Sequence, residues 1–276
     1  MNAPAPPPAQ VSVVVPFYRG LQELELTLAG LASQAPGGPT FDVIVAEDGS
    51  PLSPRHLARR FPGLDLRFVR IERDGFRLST ARNEALSVAR SLVLLLDFDC
   101  VPTPTHVKAH VRALVSGPMC VTIGLRRFVH RRGLSPEVVA SGGRWWDELD
   151  DVESISNPGS VIDKRAAEVE RIADLEFPCN LFHGCNVGFW RSTAVAAGCF
   201  DERFNGAHGY EDIEFAYRLQ RSGCRFSFVD AAVFHLENQV VDVAARRLGR
   251  DRNLSLLAEL CPDLVAHRVR VASSLP

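Results

Sequence analysis

The chain has 276 residues, 46% of them hydrophobic and 23% charged, which is the composition of a globular protein long enough for one large α/β domain. Its net charge of −2 gives no electrostatic reason to expect nucleic acid or an anionic membrane as a partner. The sequence has no apolar stretch of transmembrane length and no signal-peptide pattern, and its seven cysteines are scattered without a C-x-x-C pair. These features predict a cytoplasmic protein that keeps its thiols reduced.

Residues 1–10 are rich in Pro and Ala and are expected to form a disordered leader. Strand-like and helix-like patterns then alternate along residues 11–120. The predicted strands are Val11–Val15, Phe41–Ala46, Leu66–Ile71 and Leu92–Leu96, and the predicted helices are Leu21–Ser33, Pro54–Phe61, Ser79–Ala89 and Thr105–Leu114. This alternation predicts an α/β fold with a mostly parallel sheet and helices on both faces.

The second half, residues 121–239, is less regular. Its predicted strands are Val121–Val129, Gly184–Arg191, Phe226–Val229 and Ala232–His235, and its predicted helices are Ser192–Ala197 and Asp212–Leu219. Residues 240–276 are expected to be a helical tail, with an amphipathic helix over Val240–Leu260. Because the length is within the range of a single α/β domain, the sequence predicts one domain over residues 11–239.

Two carboxylates, Asp97 and Asp99, directly follow the apolar strand Leu92–Leu96. Carboxylate oxygens are ligands for Mg²⁺ and Mn²⁺, which often bridge protein acids and substrate phosphates. The alternative is an ordinary turn that uses Asp as a turn former. Further polar and aromatic residues follow the other predicted strands, so the carboxyl ends of the sheet are predicted to form a ligand cleft.

The glycine-rich loops that usually bind phosphate are absent from the sequence. No G-x-G-x-x-G follows the first strand, and no G-x-x-x-x-G-K-[ST] occurs. A metal ion would therefore have to provide much of the phosphate neutralisation.

Five short motifs, in this order and spacing, resemble those of the GT-A nucleotide-sugar glycosyltransferases related to family 2. They are Val13-Val-Val-Pro-Phe-Tyr18, Glu47-Asp-Gly-Ser50, Arg73-Asp-Gly-Phe-Arg with Ala81-Arg-Asn83, Leu96-Asp-Phe-Asp99, and Gly209-Tyr-Glu-Asp-Ile-Glu-Phe-Ala-Tyr-Arg-Leu219. The second half resembles the polypeptide N-acetylgalactosaminyltransferases, the β-1,4-galactosyltransferases and the chondroitin-type polymerases. The resemblance covers about residues 11–239 and implies a GT-A (Rossmann-like) fold.

The resemblance also implies a nucleotide-sugar site. Asp48 corresponds to the residue that binds uracil, and a carboxylate can accept the imide N–H of that base. The other implied donor contacts are Pro16, Phe17 and Tyr18 at the base and ribose, Arg82 at the nucleotide, and Asn186 and Gly188 at the donor sugar. A buried aromatic role for Phe17 and a surface role for Arg82 are the alternatives.

For the metal, the resemblance implies that Asp99 is a direct ligand and that His235 is a further protein ligand. Asp97 would bond to the ribose or ligate the ion through water. Imidazole together with carboxylate suits Mn²⁺, with Mg²⁺ as the alternative ion.

On the acceptor side, Asp212 corresponds to the residue that deprotonates the acceptor hydroxyl in inverting relatives, and Glu211 would orient the acceptor. Both acids open a predicted helix, so simple N-terminal capping is the alternative. Trp145 and Trp146 are expected to form a stacking platform for the acceptor sugar, unless they are core residues.

These expectations describe a metal-dependent inverting enzyme that moves a sugar from a UDP-sugar to a hydroxyl group of a glycan or small natural product. The sequence has no Q-x-x-R-W motif, which favours single transfer over polymerisation. A nucleotidyltransferase acting on sugar phosphates and a non-catalytic sugar-nucleotide binder remain alternatives. The sequence leaves the donor sugar, the acceptor and the linkage open.

Overall fold

The computed structural model describes residues 10–141, 143–153, 163–237 and 243–273. Residues 1–9 of the expected leader lie outside these ranges. The strands are β1 Val11–Phe17, β2 Phe41–Asp48, β3 Asp65–Ile71, β4 Leu92–Leu96, β5 Cys100–Pro102, β6 Cys120–Ile123, β7 Arg126–Val129, β8 Asn186–Trp190, β9 Arg225–Phe228 and β10 Val233–Leu236.

The helices follow the predicted pattern closely in the first half of the chain. They are α1 Leu21–Ala32, α2 Leu78–Val88, α3 His106–Leu114, α4 Pro136–Ala140, α5 Ala166–Val169, α6 Arg191–Ala196, α7 Glu211–Arg221, α8 Val243–Leu260 and α9 Pro262–Ser273. Short 3₁₀ helices occupy Arg55–Arg59, Trp145–Glu148, Ile172–Asp174, Pro178–Leu181 and Glu202–Phe204. The predicted helix Pro54–Phe61 is therefore a short 3₁₀ segment.

Seven strands form the main sheet in the order β3-β2-β1-β4-β8-β6-β9. The pairs β1/β2, β2/β3, β1/β4 and β6/β9 are parallel, and β8 runs antiparallel to both β4 and β6. This arrangement confirms the predicted α/β fold and its mostly parallel sheet. In the middle of the sheet, every residue of β1 and β4 is buried, as their continuous apolar runs predict.

A second, three-stranded sheet has the order β5-β10-β7. It shows that the predicted strand Val121–Val129 is two strands, β6 and β7, that belong to different sheets. The break falls at Gly124, where a Cβ atom would lie 2.4 Å from the Asn186 side chain and 2.7 Å from the Ala231 carbonyl oxygen. The chain therefore needs glycine at the point where it leaves one sheet for the other.

The C-terminal helices α8 and α9 pack on the main body of the protein. Leu257, Cys261 and Leu264 are almost fully buried and belong to the same apolar cluster as Phe177 and Phe215. Burial of each leucine side chain contributes about 1.5–3 kcal/mol. Within the described ranges, no helix combines the length and apolar character needed to cross a membrane.

Candidate active site

A cavity of about 750 Å³ lies beyond the carboxyl ends of the central parallel strands. Tyr18 follows β1, Asp48 ends β2, Asp97 follows β4 and Asp212 lies in the first turn of α7, and all four line the cavity. The strand ends therefore meet as the sequence predicts, because parallel strands deliver their following residues to the same edge of a sheet.

Asp48 provides a buried hydrogen-bond acceptor at one end of the cavity. Its Oδ2 atom accepts hydrogen bonds from the Arg77 backbone N–H (2.8 Å) and from Arg73 Nη1 (3.2 Å). Its Oδ1 atom is buried and has no hydrogen-bond partner within the described chain. A buried carboxylate oxygen without a donor is unfavourable, so this atom is suited to accept an N–H from a ligand.

Next to Asp48, the aromatic residues differ in exposure. The Arg73 guanidinium lies 3.9 Å from the centroid of the Tyr18 ring, which is only partly buried. Phe17 is 1% exposed and packs edge-on against Phe98 at 5.8 Å between centroids, although part of it reaches the cavity together with Pro16. Tyr18 is therefore better placed than Phe17 to contact a base.

Asp99 and His235 converge at a second point of the cavity wall. Antiparallel pairing of β5 with β10 sets His235 opposite Cys100, and His235 Nε2 lies 3.8 Å from Asp99 Oδ1. The buried Cys100 thiol belongs to the same group of potential ligands, which lie within 4.8 Å of one another. On the far side of the imidazole, His235 Nδ1 lies 3.6 Å from a carboxylate oxygen of Glu237.

These residues fit a divalent cation. Two ligand atoms each about 2.1 Å from one ion can lie up to about 4.2 Å apart, which accommodates the separation between Asp99 and His235. A carboxylate behind the second imidazole nitrogen is a common arrangement for metal-binding histidines. Asp97 also faces the cavity, and burial together with the Asp99 carboxylate raises its pKa, although Arg82 opposes this effect. Neighbouring carboxylates of this kind are stabilised by a cation.

Arg82 lies between two carboxylates of the cavity, those of Asp97 and Glu211. Its side chain is 2% exposed, its Nη1 donates a hydrogen bond to Glu211 Oε1 (2.9 Å), and its Nη2 lies 3.6 Å from Asp97 Oδ1. Gly184 makes room for the guanidinium, since a Cβ atom there would lie 2.4 Å from Arg82 Nη2. Arg82 lines the cavity, but the partners it meets are protein carboxylates.

Asp212 is held at the start of α7 with one face toward the cavity. Its Oδ2 accepts a hydrogen bond from the Gly184 backbone N–H (3.0 Å). Burial and the neighbouring Glu211 raise the pKa of Asp212, while Arg82 and the Gly184 N–H act in the opposite direction. A carboxylate with a raised pKa is a stronger base, so Asp212 is equipped to take a proton from a bound hydroxyl group.

The chain is similar in sequence to glycosyltransferases. Residues 12–138 match the sequence model of glycosyl transferase family 2. Hyaluronan synthase from Pasteurella multocida is 31% identical over 265 residues, which cover 91% of this chain and 27% of that protein. Validoxylamine A glucosyltransferase from Streptomyces hygroscopicus subsp. jinggangensis is 28% identical over 92% of this chain and 62% of its own length. The chain thus spans only about a quarter of the length of the Pasteurella relative.

Two solved structures share the architecture. S. aureus TarS 1–349 in complex with UDP-GlcNAc has a TM-score of 0.58 and 17% identity over 86% of this chain and 61% of that chain. GalNAc-T7 with UDP, GalNAc and Mn²⁺ has a TM-score of 0.59 and 16% identity over 83% of this chain and 44% of that chain. The chain has the GT-A glycosyltransferase fold. Its predicted resemblance to this group is confirmed.

Two residues expected to contact the donor sugar lie away from the cavity. The Asn186 side chain is fully buried, where it donates to the carbonyl oxygens of Leu125 (2.8 Å) and Ala231 (2.7 Å) and contacts His110. Gly188 lies within β8, where a Cβ atom would meet Thr122 at 2.6 Å. Both residues therefore hold strands together, and neither lines the cavity, which corrects the expectation that they contact the donor sugar.

The expected tryptophan platform for the acceptor also needs correction. Trp145 is 8% exposed and packs on Phe234 at 5.0 Å, and Trp146 stacks on the same ring at 5.7 Å. They form part of a small core cluster and do not line the cavity. Glu211 does line it, and its two carboxylate oxygens accept from Arg82 and from the Gly209 N–H, so it positions Arg82. Its contact with an acceptor stays a prediction.

Sequence reasoning missed four arginines of the cavity, which are Arg126, Arg247, Arg250 and Arg268. Arg126, at the start of β7, donates from Nη1 to Cys185 Sγ at 3.6 Å. Although burial works against its charged form, the neighbouring Cys185 and Asp163 raise its pKa, so it remains a cation. Arg247, Arg250 and Arg268 reach the cavity from α8 and α9. No local motif identifies these arginines, because their positions depend on how distant elements pack.

Proposed function

We propose that the protein is a metal-dependent, inverting glycosyltransferase that moves a sugar from a UDP-sugar to an acceptor hydroxyl group. The observation that carries the proposal is the meeting of Asp99 and His235, 3.8 Å apart, on the same cavity as Asp212. The names of the relatives support sugar transfer, and the TarS and GalNAc-T7 complexes support a uridine nucleotide donor and, in GalNAc-T7, Mn²⁺.

The residues of the cavity provide complementary functions for this reaction. Asp48 would accept the imide N–H of uracil through its unpartnered Oδ1 atom, beside Tyr18. Asp99, His235 and Asp97 would hold Mn²⁺ or Mg²⁺, which when bound supplies positive charge for the leaving diphosphate. Asp212 would take the proton of the acceptor hydroxyl as its oxygen bonds to the anomeric carbon and the bond from that carbon to UDP breaks. A single displacement of this kind needs no enzyme nucleophile and inverts the anomeric carbon.

The acceptor is proposed to be a glycan or a small natural product that receives one sugar per encounter. Two alternatives make different predictions. A nucleotidyltransferase acting on sugar phosphates would release pyrophosphate, whereas a glycosyltransferase releases UDP. A non-catalytic sugar-nucleotide binder would release neither product, with or without Mn²⁺.

The metal site is tested by measuring UDP binding calorimetrically with Mn²⁺ and with EDTA. We expect the wild type to bind UDP much more tightly with Mn²⁺, and Asp99→Asn to lose this dependence together with UDP-sugar turnover. Asp150→Asn is a matched control, because Asp150 is exposed and lies outside the cavity. Equal UDP affinity of the wild type in Mn²⁺ and in EDTA would contradict the proposed metal role.

The base is tested by Asp212→Asn, which keeps the size of the side chain and removes its basicity. We expect unchanged UDP affinity and a fall in kcat of about 10²–10⁴. Wild-type kcat in this variant would exclude Asp212 as the base.

A further inference from the structure

One wall of the cavity is formed by three arginines from the C-terminal helices, Arg247 and Arg250 of α8 and Arg268 of α9. We refer to these three residues as the arginine wall. None of them forms an ion pair with a carboxylate in the part of the chain that the structure describes, although Asp251 of α8 also lines the cavity. Other cavity arginines differ, since Arg82 pairs with Glu211.

The arginine wall lies next to the proposed base. Arg250 Nε donates to the Tyr210 hydroxyl oxygen (3.3 Å), and Arg268 Nη1 donates to Asn180 Oδ1 (2.8 Å). The Arg250 and Arg268 guanidinium carbons lie 5.4 and 5.6 Å from the centroid of the Tyr210 ring. Tyr210 directly precedes the first turn of α7, which contains Asp212. Arg250 and Arg268 therefore contact the chain two residues before the proposed base.

His183 is a partly buried histidine of the cavity with arginines on more than one side. It lines the cavity next to Gly184, whose N–H holds Asp212. Burial lowers the pKa of His183 well below its ordinary value, and the charges of Arg165 and Arg126, followed by those of Arg268 and Arg250, act in the same direction. The imidazole is therefore neutral at physiological pH and adds no positive charge to the cavity.

The donor diphosphate has a different set of cations. Arg126 belongs to the metal side, because its guanidinium lies 4.9 Å from the Phe128 ring centroid, and Phe128 in turn packs edge-on against His235 at 5.5 Å. Within the arginine wall, Arg250 and Arg268 instead contact Tyr210, and Arg268 also contacts Asn180. An anion at the wall would thus lie on the Tyr210 side of the cavity, where the proposed base Asp212 would meet the acceptor.

We propose that the arginine wall binds a carboxylate or phosphate group of the acceptor, so that the acceptor is an anionic saccharide. Arginine suits this role, because its planar guanidinium makes paired, charge-assisted hydrogen bonds to carboxylate and phosphate oxygens. This inference rests on the proposed function, since it assigns a substrate class to the same site.

The test uses the full chain saturated with UDP and Mn²⁺, so that the donor diphosphate site is already filled. Matched disaccharides that differ only at C6, with a hexuronate or the corresponding neutral hexose, are titrated calorimetrically, and a hexose 6-phosphate disaccharide is added as a third probe. The variants are Arg250→Gln, Arg268→Gln and the double variant. Arg270→Gln is the control, because Arg270 is exposed on α9 and does not line the cavity.

We expect the wild type and Arg270→Gln to bind at least one acidic probe about tenfold more tightly than its neutral counterpart, and the double variant to lose this preference. UDP affinity should be unchanged in all of these variants. Equal binding of charged and neutral probes by the wild type would overturn the inference, and so would a double variant that keeps the preference. Loss of UDP affinity in the double variant would also overturn it, since the wall would then bind the donor. If UDP binding in the wild type does not depend on Mn²⁺, the proposed function fails independently.

Discussion

Removal of the Arg82 guanidinium should strongly destabilise the protein. Arg82 is 2% exposed and bonds to Glu211, which is 4% exposed, while its second amino group faces Asp97. Arg82→Met keeps most of the apolar stem and leaves the buried Glu211 carboxylate without its cation. Breaking a buried pair from one side costs about 3–5 kcal/mol, so a loss of that size in the free energy of unfolding is expected from urea denaturation.

A double-mutant cycle separates the ion pair from lost packing. Glu211→Gln removes the opposite charge, and in the double variant neither charge is left unpaired. We expect the combined loss to be smaller than the sum of the single losses by about 1–3 kcal/mol. Arg144→Met is the control and should cause no measurable loss, because the Arg144 side chain is 76% exposed in its pair with Asp147. A loss below about 1 kcal/mol in Arg82→Met, or strict additivity of the two losses, would refute this reasoning.

Three further predictions concern activity and pH. Gly184→Ala should lower kcat because its Cβ would displace Arg82, whereas Gly63→Ala should not, since no atom lies within 4 Å of a Cβ there. UDP-sugar turnover should fall in acid as Asp212 is protonated. In Arg82→Met this fall should begin at a higher pH, because Arg82 lowers the pKa of Asp212. Burial lowers the pKa of His110 to about 4. The unfolded state therefore binds more protons, and between about pH 6.5 and 4 the wild type should lose about 3 kcal/mol more unfolding free energy than His110→Gln.

The position of the proposed metal group, Asp97, Asp99 and His235, could be predicted in part because its members follow strands. Asp97 and Asp99 leave the buried strand β4, and the carboxyl ends of parallel strands meet at one edge. The position of His235 depended on the family resemblance, since its strand pairs antiparallel with β5, a three-residue strand that the sequence pattern does not reveal. Short strands carry too few residues for a period-2 pattern.

The wrong predictions concern residue types that are common both in binding sites and in the protein core. Asn186 satisfies two backbone carbonyls in a buried strand, and the indoles of Trp145 and Trp146 pack on Phe234. Sequence gives the chemical capacity of such residues but not the direction in which they point. The arginine wall was missed for a related reason, because Arg250 and Arg268 lie on different helices and meet only through the packing of α8 and α9 on the core.

The distribution of charge in the cavity predicts that UDP and an acidic acceptor depend differently on a divalent cation. Asp97 and Asp99 would repel a diphosphate at the proposed donor site, so donor binding should require a divalent cation. The arginine wall attracts anions without any metal. EDTA should therefore abolish most UDP binding and leave binding of the acidic disaccharide to the UDP-free protein within about twofold, because no carboxylate of the metal group contributes to that subsite. Parallel loss of both affinities in EDTA would show that the two ligands share one site, and the division of the cavity into a donor side and an acceptor side would be wrong.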